Sequence, residues 1–194
     1  MKEIYIAEQA FLQLVLATAE VYRREAYGLL LGYPLPGKVI VEGAIAYQTA
    51  ERKFSQVSLF ERQNKIIQRI ISRFPKYEYI GEFHSHADYR GYEGEVGLTD
   101  DDLVGMREGE IQLVVAINPR RRRVAWYTNN DGTLSGTLSD FRFRIGGYHI
   151  REPVGNDREK KGKKRGRRRR PRPRVFRASV RCPYAVGLLK DAER

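Results

Sequence analysis

Cysteine, histidine and long apolar runs are all scarce in this chain of 194 residues. The single cysteine, Cys182, excludes an internal disulfide framework and a multi-cysteine zinc ribbon or finger. It also agrees with a reducing compartment. The longest apolar stretch, Phe11–Ala19, is broken by Gln13 and Thr18 and is too short to span a bilayer. At the N-terminus no basic segment leads into an apolar one, so no secretory signal is expected. These absences together predict a soluble, cytoplasmic protein without membrane contact.

Positive charge, by contrast, is abundant. Lys and Arg number 36 against 24 Asp and Glu, for a net charge of +12. Residues 158–174 hold 12 of those cations and a single Glu, so +11 of the total sits in one short segment. The rest of the chain, with 24 basic and 23 acidic groups, is nearly neutral. A basic segment of this kind suits contact with an acidic protein or a nucleic acid, although it contains no aromatic residue for base stacking. Its low complexity leaves nothing to bury, and disorder is expected there. With 41% hydrophobic and 11% aromatic residues, the remainder should be globular. The chain therefore divides into a globular domain over 1–150, a disordered Lys/Arg-rich linker over 151–174 and a short C-terminal segment over 175–194.

Periodicity predicts helices over 7–24, 55–73 and from Thr99 to about Gly109. The second carries Phe60, Ile67, Ile70, Ile71 and Phe74 as a stripe. Strands are expected over 26–33 and 38–48 as a hairpin, over 79–84, over 111–117, over 123–128 and within 138–150. Helices and strands alternate, which predicts a single α/β or α+β domain with one mixed central sheet flanked by helices.

Two of the three histidines stand at His84-Ser85-His86. On an extended strand, residues two apart share a face, so both imidazoles can reach one ion, while Ser85 points away. Downstream, Leu98-Thr99-Asp100-Asp101-Asp102 offers carboxylates at a helix start. Two His and one carboxylate with a fourth position open to water is the donor set of a catalytic zinc. A further carboxylate must then take a proton, and Glu25, just before the 26–33 strand, is the candidate base. Thr99 with Asp102 three residues on also reads as a helix capping box, which requires no metal. His149 is expected to be a packed strand histidine, and Arg120–Arg123 a solvated turn or an extension of the basic surface.

In this order the residues resemble the JAMM (MPN+, JAB1/MPN/Mov34) metalloprotease family. Glu25-Ala26-Tyr27-Gly28-Leu29-Leu30-Leu31-Gly32 is similar to that family's glutamate-bearing strand entry. Gly81-Glu82-Phe83-His84-Ser85-His86 is similar to its HxH segment, and Thr99-Asp100-Asp101-Asp102 to its Ser/Thr-x-x-Asp. The resemblance covers roughly residues 5–140 and implies a single MPN-like catalytic domain over 1–150, of cytidine-deaminase-like architecture and stand-alone prokaryotic type; the disordered basic C-terminal tail lies outside it. It implies zinc held by His84, His86 and Asp102 with water as fourth ligand. Glu25 would be the general base, and the Thr99 hydroxyl would stand where the family serine supports the oxyanion. The implied activity is hydrolysis of peptide or isopeptide bonds, removing ubiquitin-like or sulfur-carrier-type modifiers from conjugates. The alternatives are a catalytically silent MPN scaffold and a nucleic-acid-associated protein acting through the basic segment.

Two features depart from the family pattern. Ala87 stands where a proline usually follows HxH, and fifteen residues, 87–101, separate His86 from Asp102, so that Ala87–Gly97 carries a five-residue insertion. The strict family spacing would put the ligand at Gly97, which has no side chain to offer. The aspartate of Thr-x-x-Asp, Asp102, is therefore the expected ligand, with Asp100 and Asp101 as substitutes. Tyr89, Arg90, Tyr92 and Glu93 in the inserted loop are positioned to shape substrate choice.

Overall fold

Whether a run of strands forms an open sheet or a barrel depends on the edges left unpaired. In the computed structural model of this chain, the last strand removes them. The structure describes residues 2–48, 51–52, 57–58, 61–88, 91–151 and 174–188. In chain order these form β1 (Glu3–Ile6), α1 (Glu8–Glu20), β2 (Tyr27–Leu35), β3 (Lys38–Ala46), β4 (Glu51–Arg52), β5 (Val57–Ser58), α2 (Glu61–Ile71) and β6 (Glu78–Ala87). Then follow α3 (Asp100–Gly105), β7 (Ile111–Pro119), β8 (Tyr127–Thr128), β9 (Leu134–Leu138), β10 (Phe141–Arg151), β11 (Arg174–Arg181) and α4 (Pro183–Gly187).

The main sheet runs β11-β1-β3-β2-β6-β7-β10-β9-β8, and β10 pairs back to β11. Seven strands thus close into a barrel, with β9 and β8 continuing beyond β10. The expected helix-flanked mixed α/β sheet of MPN or cytidine-deaminase-like type is corrected by this closure, and so is the basic C-terminal tail. Residues 174–181 are a barrel strand, parallel to β1 (Ile4 opposite Val180) and antiparallel to β10 (Gly147 opposite Ala178). The basic segment therefore joins two barrel strands. Of it, residues 158–173 lie outside the described residues, as do the expected disorder and Tyr89, Arg90 and Phe60.

β10 has two partners along one edge: Phe141–Ile145 pair with β9, and Gly147–Arg151 with β11. At the fork a Cβ on Gly147 would lie 2.6 Å from Ile4 Cδ1 and 3.0 Å from Val180 Cγ2, so any larger residue would have to displace the Ile4 side chain where the closing strands meet. Gly81 is needed for a second reason, with φ at +144° and a virtual Cβ 1.8 Å from the Ile111 carbonyl oxygen.

Asp131 clamps the fork. Its Oδ2 accepts from Arg144 of β10 at 2.7 Å and from Arg177 of β11 at 2.9 Å, while its Oδ1 accepts from the Thr133 hydroxyl at 2.7 Å. Partial burial raises its pKa, but the Thr133 hydrogen bonds and the Arg144 charge outweigh it and hold the carboxyl below its usual 3.8. A depressed folded-state pKa stabilises the fold above the unfolded value and loses that contribution as pH falls through the folded one. Asp131→Asn is therefore expected to cost about 1 kcal/mol near neutrality, a value reduced by solvent screening. In urea melts the gap to wild type should narrow as pH drops below 3.8.

The interior is filled alternately from each strand. Phe83 of β6, Leu113, Val115 and Ile117 of β7, and Phe143 and Ile145 of β10 point inward. Helix α1 adds Ala10, Phe11, Leu14 and Val15, spaced at three and four residues, and it touches both β3 and β7. Because those strands are not neighbours in the ring, the helix crosses the inner side of the barrel. Phe11 meets Trp126 edge-on at 4.9 Å between ring centroids. A second, smaller cluster, Val96, Val114, Ala116 and Tyr148, forms on the outside of β7 and β10. β7 is thus covered on both faces, which explains its unbroken apolar run.

Other expectations shift locally. Val57–Ser58 form a two-stranded ribbon with Glu51–Arg52, so α2 starts only at Glu61. Ile67 and Ile71 of its stripe are half-buried, while Ile70 and Phe74 are 56% and 57% exposed. The 123–128 strand shrinks to Tyr127–Thr128 because Val124 is tied to Thr137 through the threonine hydroxyl. Among the described residues no helix is long and apolar enough to cross a membrane.

Candidate metal centre

The alternation of β6 sorts its side chains between two environments. Phe83 and Ser85 face the barrel interior, and His84 and His86 project from the outer face. Ser85 is fully buried, and its Oγ accepts the Ala26 N–H at 2.8 Å while its own N–H donates to the Ala26 carbonyl. The serine between the two histidines thereby fixes the residue that follows Glu25.

The loop after β6 carries Asp102 back to the histidines. Asn118 of β7 accepts the Gly94 N–H at 2.7 Å and donates to the Gly94 carbonyl at 3.0 Å. The Tyr148 hydroxyl donates to the Val96 carbonyl, and Val96 is buried against Val114 and Ala116. Glu93 pairs with Arg121 at 2.9 Å and Arg142 at 2.6 Å. Tyr92 is 79% exposed. The insertion is thus pinned at Glu93, Gly94 and Val96, and the chain beyond it returns Asp102 to the site.

His84, His86 and Asp102 each offer a ligand atom, all within 4.8 Å of one another. His84 is buried, and its Nε2 lies 3.5 Å from Asp102 Oδ1 without a hydrogen-bond partner. Burial foremost pushes its pKa down to about 4, with His86 acting in the same direction and Asp102 opposing. The imidazole is then neutral near pH 7, as ligation requires. An orphaned buried nitrogen facing a carboxylate and a second imidazole fits a divalent cation.

The neighbours of these ligands favour the same use. His86 Nδ1 lies 2.7 Å from the Glu95 carbonyl oxygen and must donate to it, which leaves Nε2 free. His84 Nδ1 lies 2.8 Å from the Gln112 amide nitrogen. Half a turn of that amide presents its oxygen, which accepts Nδ1–H and frees the Nε2 lone pair. A zinc ion held by this cluster would be expected to bind about 10–100-fold more weakly in Gln112→Leu, measured by competition with a chelating dye, and nearly as well in Gln112→Glu.

Thr99 caps α3, and its N–H and hydroxyl donate to Asp102 Oδ2 at 2.6 Å and 2.8 Å. The hydroxyl expected to face an oxyanion is thus placed on Asp102 Oδ2, which leaves Oδ1 toward His84. Asp100 and Asp101 are exposed and do not join the cluster, and Gly97 is likewise exposed. Glu25 is half-buried, and its pKa is raised to about 7, first by burial and then by the negative charge of Asp102. The next residue, Ala26, is hydrogen-bonded to Ser85, and Tyr27 is paired with His84, so the backbone brings Glu25 to the end of β6 that bears the histidines. His149 lies elsewhere, stacked on Phe176 with 5.5 Å between ring centroids.

Gln112, Asn118 and Tyr148 carry no motif. For Gln112 and Asn118 the available signal was their position as polar groups near the two ends of an otherwise apolar strand, a placement that requires a hydrogen-bond partner.

No family model and no curated relative matches this chain. Among solved structures it is similar to protein DSY2949 from Desulfitobacterium hafniense, determined in solution, at 16% identity and a TM-score of 0.46. That alignment covers 58% of this chain and 73% of the other.

Proposed function

We propose that His84, His86 and Asp102 hold a zinc ion and that the protein is a metallopeptidase acting on peptide or isopeptide bonds. The observation that carries this reading is the buried, unpartnered His84 Nε2 facing Asp102 Oδ1 at 3.5 Å, with His86 in the same cluster. Zinc, when bound at such a site, polarises a carbonyl and makes water acidic near neutrality. The chain's own residues supply the rest. Glu25 accepts a proton beside the cluster and returns it to the leaving amine. Thr99 holds Asp102 in register, and Glu95 and Gln112 set the imidazole tautomers.

The reading rests on the site and its resemblance to the JAMM motif, not on the barrel. From that resemblance the substrates are conjugates of ubiquitin-like or sulfur-carrier-type modifiers. A cytoplasmic setting belongs with it, supported by the buried, unpaired Cys182. Metal analysis of the purified chain together with cleavage of a ubiquitin-like fusion tests it. One zinc per chain and cleavage that a chelator abolishes are expected. A chain that takes up no zinc overturns the proposal, and zinc without cleavage leaves the silent scaffold in its place.

A further inference from the structure

The outer face that bears the histidines continues across the sheet into a stripe of arginines. One register row links His86 of β6 to Ala116 of β7, Arg144 of β10, Ser135 of β9 and Tyr127 of β8. Residues opposite one another share a face, so His86 and Arg144 stand two strand spacings apart, about 10 Å. Arg142 lies two residues earlier on the same face of β10, and Arg177 is opposite Tyr148.

Beyond the inserted loop this face opens into a groove of about 500 Å³, lined by Arg121, Arg122, Arg142, Arg144, Tyr127 and Asn129 among others. The arginines outnumber the acids that hold them. Glu93 is shared by Arg121 and Arg142, and Asp131 by Arg144 and Arg177. Arg122 is exposed and forms no ion pair among the described residues. Each shared carboxylate neutralises one guanidinium of two, so the surface keeps an excess of positive charge. Tyr127 presents a ring that is 46% exposed at the groove's edge.

We infer that this groove binds the backbone of a single-stranded nucleic acid, with guanidinium groups on phosphates and Tyr127 stacked on a base. The alternate spacing of Arg142 and Arg144 suits a repeating anion. The exposed ring favours nucleic acid over an acidic peptide, because a base has a π-face to stack where a Glu or Asp side chain has none. Backbone contacts of this type read no sequence. This site is distinct from the metal cluster and does not depend on its activity.

Fluorescence anisotropy of a labelled oligothymidylate against the full chain tests the inference. Arg122→Gln with Arg142→Gln is expected to weaken binding about 10-fold at 0.1 M salt and to flatten the log–log salt slope by about 1.4. Tyr127→Ala should weaken binding at least about 5-fold and leave the slope unchanged. Thermal melts of each variant establish that the fold persists. Three results overturn the inference. These are wild type that does not bind, groove variants that bind like wild type while Gln at Arg167–Arg170 abolishes binding, and polyglutamate that competes as well as the oligonucleotide.

Discussion

Glu25→Gln should leave one zinc per chain and lower cleavage of a ubiquitin-like fusion by about 10²–10⁴-fold, the range for loss of a positioned acid–base group. Gln has the shape of Glu, so the half-buried position beside the cluster stays filled. It cannot accept a proton from water. Removing the charge also removes an attraction for a nearby cation, so zinc affinity should hold or fall slightly. The pH profile offers a second readout. Burial and Asp102 raise the Glu25 pKa to about 7, and a bound cation opposes the second of these causes. The rate should therefore climb with pH along a limb centred at or below about 7, and the variant should lack that limb. Full activity in the variant would remove Glu25 from the mechanism. Loss of zinc would instead make Glu25 a ligand.

The local parts of this site were open to sequence reading because they follow from short-range geometry. Two histidines at a spacing of two must share a strand face, and Ser85 between them must point inward, as its bond to Ala26 requires. The capping-box and ligand readings of Asp102 looked like alternatives. In the structure the one carboxylate reaches both ways, with Oδ2 on the Thr99 cap and Oδ1 3.5 Å from His84 Nε2.

Long-range pairings were not legible. Residues 174–181 follow a stretch with no core-forming pattern, yet Val180 lies beside Ile4 and Ala178 beside Gly147. Nothing local in either partner announces the other, and closure of the barrel depends on both. β1, only four residues long, offers too short a pattern to read as a strand. The insertion before Asp102 is similar in kind. Its course is held by Asn118, Tyr148, Arg121 and Arg142, each more than twenty residues from its partner in the chain.

That pinning makes the choice among three consecutive aspartates testable. Asp102→Asn should weaken zinc by more than about 100-fold, beyond the range seen for outer-shell partners. Asp100→Asn should change it less than about 2-fold, a shift within the scatter of exposed charges. The difference follows from hydrogen-bond direction. Asp102 Oδ2 accepts two donors, the Thr99 N–H at 2.6 Å and the Thr99 hydroxyl at 2.8 Å. An asparagine must turn its oxygen toward that N–H, since two donors cannot face each other. Its NH₂ then faces His84 Nε2 and the metal position, and an amide nitrogen has no lone pair to give. The helix cap survives and the ligand is lost. Asp100 shares the first turn of α3 but is exposed and outside the cluster, so its substitution removes the same charge without touching a ligand atom. Competition titration with a chelating dye separates the two effects, and thermal melts of the metal-free variants check that α3 remains capped. Equal losses would mean that the site responds to the summed charge of the turn, and Asp102 would no longer be assigned as the third ligand.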